Sequence, residues 1–455
     1  MTRTRTHEVL CVLLSLWALS LSIGPACAGD WPTYNHDARR SAATVESLNP
    51  AGLTLRWTYT SPTAAQPAWP GPAPRDFYNS PGVDNADRLD LDAVFHVAVA
   101  GNRVYFGSAA EDTLWCLDAE TGKRCWGFTA DGPVRFAPHV VDGRVYVGAD
   151  DGFIYCLSAA DGEPVWKSRA APSPYQVPSD GKVVSLWPNR TGVIVRSGIV
   201  YCGVGVFPAE GVYICALDAR TGADAGPGLY RKRFTDMSLQ GYVLASEQHL
   251  YFPGGRSGPW VFARAGGQRK GQFGGGGGTY AVISGTDSII YGPGKTSPVL
   301  EEFAGATRDK LATFPGGRHL VVTEPCTYIA TGTELMALDR SRYLELGRQI
   351  AQMQQASKKL EKGSSEHGEL ARKITTASQE REDCYKWRVP SDHSDALILA
   401  GAFLYGGGRD SVQAFRAHDG SCVWQADVSG IAKGLAVASG RLFVSTDSAR
   451  IYCFH

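Results

Sequence analysis

A segment of about 40 residues recurs along this chain, and that repeat constrains the fold more than any other feature of the sequence. Its clearest copy spans residues 101–126, in which two β-type runs lead to the turn Asp118–Gly122 and a third run contains Trp126. Gly122 suits the positive φ that closes such a turn, and the Asp118 carboxylate suits hydrogen bonds to the loop that follows. Repeats of this length with short strands and Gly-containing turns are typical of four-stranded β-propeller blades.

Each copy carries an aromatic residue in its first run, and these residues give the number of copies. The markers are Tyr105, Tyr146, Tyr201, Tyr251, Tyr291, Tyr328, Tyr405 and Phe443. Successive markers lie about 40 residues apart, or farther apart where the chain has an insertion. The pattern predicts an all-β, eight-bladed β-propeller over residues 94–455, with the plainest repeats in blades one, two, three and seven.

The lead-in segment 29–93, which precedes the first blade, contains one strand that has no blade of its own. Apolar and polar residues alternate over 53–59, as expected for a half-buried strand. The last blade has only three strand-like runs, the final one at 451–454. Pairing of 53–59 with 451–454 would complete that blade and remove an exposed sheet edge. We therefore predict a propeller that is closed by its N-terminal strand.

Tryptophans stand at the ends of several repeats, where a large flat side chain is suited to cover the edge between neighbouring blades. The residues predicted to dock one blade on the next are Trp57, Trp126, Trp166, Trp387 and Trp424.

A helical pattern interrupts the β repeat at residues 342–383, inside the predicted sixth blade. Apolar residues recur there at intervals of three and four, and Gly363 breaks the pattern near its middle. Such spacing predicts a short antiparallel helical hairpin of coiled-coil type. Two interpretations stay open: a hairpin that packs only on itself, and an arm that docks a protein partner.

Residues 1–28 have the pattern of a secretory signal peptide. Basic residues precede an apolar run at 9–23, and small residues lead up to Ala28, after which cleavage is expected. Lipidation at Cys27 is the alternative. The sequence thus predicts a periplasmic or secreted protein whose mature chain has no transmembrane span.

The charge balance argues against a polyanionic partner, since the chain has 45 Lys and Arg against 45 Asp and Glu. No nucleic-acid partner is expected from such a neutral composition. The 11 cysteines include no CxxC pair, so zinc and thioredoxin-type sites are not indicated. Cys116, Cys156 and Cys453 occupy the same place in three repeats, as buried apolar residues would. Cys116 and Cys125 flank the same turn, and a disulfide between them is one alternative.

Candidate site residues come from the predicted innermost strands, which line the channel of a propeller. Arg135, Arg190 and Gln240 share one register, and Lys433 falls one position away from it. Arginines at a channel mouth could hold a carboxylate or phosphate group. The alternative is that these residues are simply the polar rim of a wet channel. We predict a small-ligand site at these four residues.

Other motifs do not point to chemistry. The aspartates at 84, 87, 90 and 92 lack the spacing of a calcium loop, so a solvated loop is favoured. The histidines have no zinc-site spacing and no GxSxG motif occurs. The sequence therefore predicts no catalytic residue and no metal ligand.

The Asp118–Lys123 turn, Trp126 and the opening Trp31–Asp37 resemble the tryptophan-docked repeats of the pyrroloquinoline-quinone (PQQ) β-propeller superfamily, in particular the repeat proteins related to BamB. BamB is a scaffold subunit of the outer-membrane barrel-assembly machinery. The resemblance implies an exported, monomeric, non-catalytic propeller that binds a protein partner and carries no cofactor. One alternative is a PQQ-dependent dehydrogenase, which would hold the quinone over a metal ion in the channel. The other is a small-ligand sensor.

Overall fold

The computed structural model describes most of the chain, namely residues 29–68, 91–179, 181–255, 257–294 and 299–455. The predicted signal peptide, 1–28, lies outside the described residues. Within the described residues, no helix is both long and apolar enough to cross a bilayer.

Short, mostly antiparallel strands make up most of the secondary structure, and the first three sheets follow the lead-in segment. The lead-in elements are β1 (Ala43–Thr44), a 3-10 turn (Pro50–Gly52) and β2 (Leu55–Thr60). The first sheet comprises β3 (Ala98–Ala100), β4 (Arg103–Ser108), β5 (Thr113–Asp118) and β6 (Arg124–Thr129). The second comprises β7 (His139–Val141), β8 (Arg144–Gly148), β9 (Phe153–Ser158) and β10 (Pro164–Arg169). A separate hairpin, β11 (Gln176–Ser179) and β12 (Lys182–Ser185), precedes the third sheet of β13 (Asn189–Arg196), β14 (Ile199–Val204), β15 (Val212–Asp218) and β16 (Tyr230–Phe234).

Three more four-stranded sheets follow, and then a larger one. The fourth comprises β17 (Leu244–Ala245), β18 (His249–Phe252), β19 (Trp260–Ala263) and β20 (Arg269–Gln272). The fifth comprises β21 (Ala281–Ser284), β22 (Ser288–Tyr291), β23 (Val299–Ala304) and β24 (Lys310–Pro315). The sixth comprises β25 (His319–Val322), β26 (Cys326–Ala330), β27 (Glu334–Asp339) and β28 (Tyr385–Pro390), with α1 (Arg340–Ser357) and α2 (Ser365–Glu382) between its last two strands. The last sheet contains β29 (Ala396–Ala400), β30 (Phe403–Arg416), β31 (Cys422–Ala438), β32 (Arg441–Thr446) and β33 (Arg450–Phe454).

The strand order confirms an all-β propeller-type architecture. Each of the six four-stranded sheets pairs its strands in sequence order, and the last sheet has seven strands in the order β1-β29-β30-β31-β32-β33-β2. The long strand β31 pairs with β30 through its first half and with β32 through its second half. We interpret the two halves of this sheet as two blades joined by β31. The predicted number of eight blades depends on this interpretation.

The predicted closing strand is present. β2 pairs antiparallel with β33, with Leu55 opposite Phe454 and Tyr59 opposite Ile451. The two ends of the described chain therefore complete one sheet together, and β33 has no open edge.

Tryptophans join neighbouring sheets through a contact that repeats around the molecule. The Trp126 indole donates to the Ala159 carbonyl at 3.2 Å, and Trp166 donates to the Ala219 carbonyl at 3.0 Å. The corresponding bonds elsewhere are Trp57 to Ala119, Trp387 to Ala417 and Trp424 to Leu53. In most of these contacts the ring lies on the glycine of the neighbouring turn, as Trp126 lies on Gly162, where a Cβ would come within 2.5 Å of the ring.

Where the repeat lacks a terminal tryptophan, other groups make the contact. The Tyr230 ring lies on Gly267 of the fourth sheet. In the fourth sheet itself, Gly271 occupies the position that a tryptophan has in other repeats. The Arg308 guanidinium from the fifth sheet fills the place of the missing indole and donates to the Lys270 carbonyl at 2.6 Å. Between the fifth and sixth sheets, α1 packs against β24.

The helical hairpin confirms the predicted insertion in the sixth sheet. The Asp339 and Ser364 side chains cap α1 and α2 by accepting backbone N–H bonds. At its base α1 buries Tyr343, Leu346 and Ile350 against the fifth and sixth sheets. The outer part of the hairpin, from Ala351 to Thr376, has no residue in the buried class.

The nine cysteines of the described residues are all free. Cys116 is fully buried and lies opposite Trp126, whereas Cys125 is exposed. Both thiols are free in this structure, and a disulfide between them stays a prediction.

Candidate functional site: the central channel

Part of the lead-in segment, residues 31–44, lies across the inner strands, and we call it the channel plug. Its backbone forms hydrogen bonds with the inner strand of five different sheets. These bonds join Trp31 to Val99, Pro32 to Val140, Ala38 to Ala245, Arg39 to Ile283 and Ala42 to Leu399, at 2.7 to 2.9 Å. A segment held at so many points is a fixed part of the channel wall.

Tyr34 is the aromatic centre of the plug. Its ring stacks on Tyr242, which lies just before β17, with centroids 3.8 Å apart and an interplanar angle of 4°. The His96 imidazole packs edge-on against the Tyr34 ring, with centroids 4.9 Å apart. Phe136 packs edge-on against Tyr242 at 4.9 Å. Aromatic rings from the plug and from the segments that precede β3, β7 and β17 therefore pack together in the channel.

Arg40 is a buried anchor of the plug, and its side chain is only 1% exposed. Its guanidinium donates to the carbonyls of Val243 and Tyr34 and to the Thr33 hydroxyl, at 2.9 to 3.2 Å. Burial lowers the pKa of Arg40 to about 10, so the side chain stays charged at neutral pH. Burial acts to raise the pKa of Asp37, but hydrogen bonds from His36 and Ser41 outweigh it and lower that pKa.

The cavity beside Tyr34 is small. A cavity of about 20 Å³ lies among Trp31, Tyr34, Asn35, His96, His319 and Lys433. Such a cavity holds about one water molecule. A tricyclic quinone such as PQQ does not fit there beside the plug. Among the residues that the structure describes, no group of His, Cys, Asp and Glu is arranged to hold a metal ion.

A second polar cluster lies where the innermost strands begin. Asp150 accepts from Arg135 at 2.6 Å and from Arg190 at 3.1 Å, and Asp92 accepts from Arg135 at 3.0 Å. All four side chains are at least nine-tenths buried. Burial raises the pKa of Asp92 against the opposing charges of Arg135 and Arg190. The two arginines therefore neutralise carboxylates of the protein itself.

The cluster retains unused hydrogen-bonding capacity. Asp150 Oδ1 and Arg190 Nε are buried and have no partner. Arg190 also lines a cavity of about 20 Å³ together with Asp92, Gln240 and Phe136. The unpaired donor of Arg190 and a space of this size match a bound water molecule.

The structure brings together three of the four predicted site residues. Arg135 and Arg190 converge on Asp150, and Gln240 lines the cavity beside Arg190. Lys433 lies apart from them, at the cavity beside the plug. Whether any of the four binds a ligand stays a prediction.

The sequence-based analysis missed the two carboxylates of this cluster. The interpretation of Asp92 as part of a solvated loop is wrong, because its carboxylate is 6% exposed and accepts from Arg135 and from the Ala68 amide. The aspartates at 84, 87 and 90 lie outside the described residues. Asp150 gave no signal beyond its place beside an Asp-Gly turn.

The ring of four-stranded sheets with docked tryptophans defines a PQQ-like β-propeller protein. The model of one family, described as outer membrane protein assembly factor BamB, matches residues 41–233 and 408–455, which is just over half of the chain. The chain belongs to this family. The unmatched middle contains the fourth to sixth sheets and the helical hairpin.

Curated relatives add a second kind of similarity. The 1-butanol dehydrogenase (cytochrome c) of Thauera butanivorans is 27% identical over 251 residues, covering 50% of this chain and 31% of that protein. The quinohemoprotein alcohol dehydrogenase of Comamonas testosteroni is 25% identical over 231 residues, covering 46% of this chain and 28% of that protein. The matched regions thus span less than a third of each relative. The crystal structure of the Comamonas testosteroni enzyme superposes with a TM-score of 0.59 at 13% identity, over 93% of this chain and 80% of that one, and shows a shared fold.

Proposed function

We propose that this protein is an exported, non-catalytic β-propeller scaffold that binds a protein partner during assembly of outer-membrane proteins. The family match supports this role, because the family is described as an outer-membrane protein assembly factor. The signal-peptide pattern of residues 1–28 supports export, with cleavage near Ala28. We expect the propeller to act as a monomer.

The filled channel is the observation that carries the proposal. A quinoprotein enzyme of this fold would need room in the channel for its cofactor, whereas the cavity beside Tyr34 has space for about one water molecule. Arg135 and Arg190, the most promising anion-binding groups, already hold Asp92 and Asp150. The outer surface and loops are then the parts left for recognition.

Deletion and complementation in the native host test the proposal. We expect loss of the protein to reduce the amount of folded outer-membrane β-barrel proteins, measured by their heat-modifiable migration on gels. The full chain should restore that amount, and so should the variant Lys433→Met, because the channel cavity takes no part in a scaffold role. Normal barrel levels in the deletion strain would contradict the proposal, as would failure of Lys433→Met to complement while it is folded and abundant.

The second candidate is a PQQ-dependent dehydrogenase, and the two curated relatives favour it. It requires the channel plug to leave the channel. The test is to incubate the purified full chain with PQQ and Ca²⁺, record the quinone absorbance, and measure dye-linked oxidation of 1-butanol. We expect neither a bound quinone spectrum nor turnover. Turnover that follows added PQQ would replace the scaffold proposal with the enzyme.

A further inference from the structure

Two cysteines face each other in the third sheet. Cys202 in β14 and Cys215 in β15 are directly opposite residues of an antiparallel pair, and both are fully buried. Directly opposite residues in such a ladder have Cα atoms about 4.5 or 5.5 Å apart. A disulfide spans Cα separations of about 4.4 to 6.8 Å. The backbone therefore accommodates a disulfide here in either class of pair.

This arrangement differs from that of the other strand cysteines. Cys116 lies opposite Tyr105, Cys156 opposite Tyr146, and Cys453 opposite Phe443. In those sheets a thiol packs against an aromatic ring, as expected for a small apolar residue. Only β14 and β15, among the described strand pairs, place two cysteines across from each other.

The residues around the two thiols are apolar, and the thiols interact with each other. They lie in an apolar cluster with Val193, Val200 and Leu217. The hydrogen bond with the Cys215 thiol, and then burial, raise the pKa of Cys202 well above its ordinary value. A thiol so protected from ionisation reacts slowly in the folded protein, because the thiolate is the reactive form. Any oxidation therefore takes place while the chain folds, before the third sheet is covered by its neighbours.

We propose that Cys202 and Cys215 are an oxidation site that forms a cross-strand disulfide when the chain folds in the presence of a disulfide oxidant. The thiolate of one cysteine attacks the oxidant's disulfide and forms a mixed disulfide, with release of one oxidant thiol. The second cysteine then displaces the other oxidant thiol and closes the Cys202–Cys215 bond. The two cysteines lose two electrons and two protons, and the oxidant leaves as two thiols.

The bond would join the two strands that carry the loop 205–211. Phe207 in this loop is 55% exposed, and the loop begins and ends on β14 and β15. A covalent link at the base of the loop limits separation of these strands. The inference depends on the two thiols alone and stands whether or not the scaffold proposal holds.

The test uses the full chain, unfolded under reducing conditions and refolded with either oxidised or reduced glutathione. After acid quenching, denaturation and blocking of free thiols with N-ethylmaleimide, trypsin releases residues 197–220 as one peptide with Cys202 and Cys215 as its only cysteines. We expect this peptide to be unlabelled and two hydrogen atoms lighter after oxidative refolding, and doubly labelled after reducing refolding. Cleavage after Glu210 should leave its halves joined only in the oxidised sample.

Cys156 is the internal control, because it is equally buried but faces Tyr146. Its tryptic peptide should carry the label in both samples. A doubly labelled 197–220 peptide after oxidative refolding to soluble protein would overturn the proposal, and so would a link from Cys202 or Cys215 to any other cysteine. As a second measurement, reduction should lower the melting temperature of the oxidised protein and leave that of Cys202→Ala unchanged. If Cys202→Ala does not fold, the peptide map of the unaltered chain still decides.

Discussion

In most docking turns, a single glycine decides how closely two neighbouring sheets approach. At Gly162 the backbone has a φ of +79°, and the Trp126 ring lies where a side chain would begin. The sequence predicted both parts of this contact, since the Asp-x-x-x-Gly turn and the terminal tryptophan recur together. It did not predict Arg308 in the glycine position of the fifth sheet, because that substitution makes sense only beside Gly271 in another sheet.

Alanine substitution at two glycines distinguishes loss of stability caused by a steric clash with the tryptophan from loss caused by the positive φ. Gly162→Ala should destabilise the protein more than Gly143→Ala, by about 1 to 3 kcal/mol, because only the first Cβ meets a neighbouring ring. Gly143 has a similar φ of +69° and open space around it. The measurement is the free energy of unfolding in urea. Equal losses for the two variants would contradict the packing argument.

A buried histidine makes stability depend on pH. His139 is 8% exposed, and its Nδ1 accepts a hydrogen bond from the Val195 amide at 3.0 Å. Burial, and then the nearby Arg40 charge, lower the pKa of His139 from 6.5 to about 3. The unfolded chain therefore binds a proton that the folded chain excludes between these two values, and stability falls as the pH falls below 6.5.

We expect this histidine to contribute a loss of up to about 1.4 kcal/mol per pH unit below pH 6.5. His139→Asn, which keeps an acceptor but does not titrate, should lose less stability than the unaltered protein between pH 7 and pH 5. Urea unfolding at the two pH values measures the difference. An equal loss of stability in His139→Asn and in the unaltered protein would contradict this role of His139.

At the scale of elements, the inserted hairpin replaces the usual contact between sheets. Tyr343 in α1 donates to the Thr313 carbonyl of β24 at 2.8 Å, between two sheets whose contact includes no docking tryptophan. The heptad-like spacing predicted two helices correctly. The spacing could not predict that the base of the hairpin packs on β24. Apolar residues that face the other helix and apolar residues that face the sheet recur at the same intervals.

Two leucines of the hairpin should behave differently. Leu346→Ala should cost about 2 to 5 kcal/mol of unfolding free energy, because Leu346 is 1% exposed at the base of α1. Leu360→Ala, at the half-exposed outer end, should cost about 1 kcal/mol or less. Urea denaturation followed by tryptophan fluorescence measures both. Similar costs would show that the outer hairpin is also part of the folded core.

The hypothesis of a docking arm concerns that outer part alone. A variant with residues 355–369 replaced by a short Gly-Ser linker keeps the buried base, so it should remain as stable as the full chain. If the arm binds a partner, this variant should lose partners that co-purify with the full chain after crosslinking in cells. An unchanged set of crosslinked partners would reject the arm.

At the scale of the whole molecule, the ring depends on one seam. Trp57 donates to the Ala119 carbonyl at 3.0 Å, so β2 both completes the sheet of β33 and docks it on the first sheet. The alternation in 53–59 and the missing strand at the other end were enough to predict this seam. The contacts of the channel plug could not be predicted, because they are mostly backbone bonds that leave no pattern in the side chains.

Removal of β2 should open the seam. A mature chain that begins at Ser61 would expose the edge of β33 and should form soluble oligomers or aggregates, measured by size-exclusion chromatography with light scattering. Trp57→Ala keeps the strand pairing and loses only the docking contact, so it should stay monomeric with a lower melting temperature. A monomeric chain without β2 would show that the seam is dispensable.

The seam also sets the order of events during biosynthesis. β2 leaves the ribosome hundreds of residues before its partner β33, so it stays unpaired until β33 has been made. Every incomplete or prematurely terminated chain carries an unsatisfied strand at its amino end. We expect chaperones to bind such chains and proteases to degrade them, so that only chains that include β33 form a stable product.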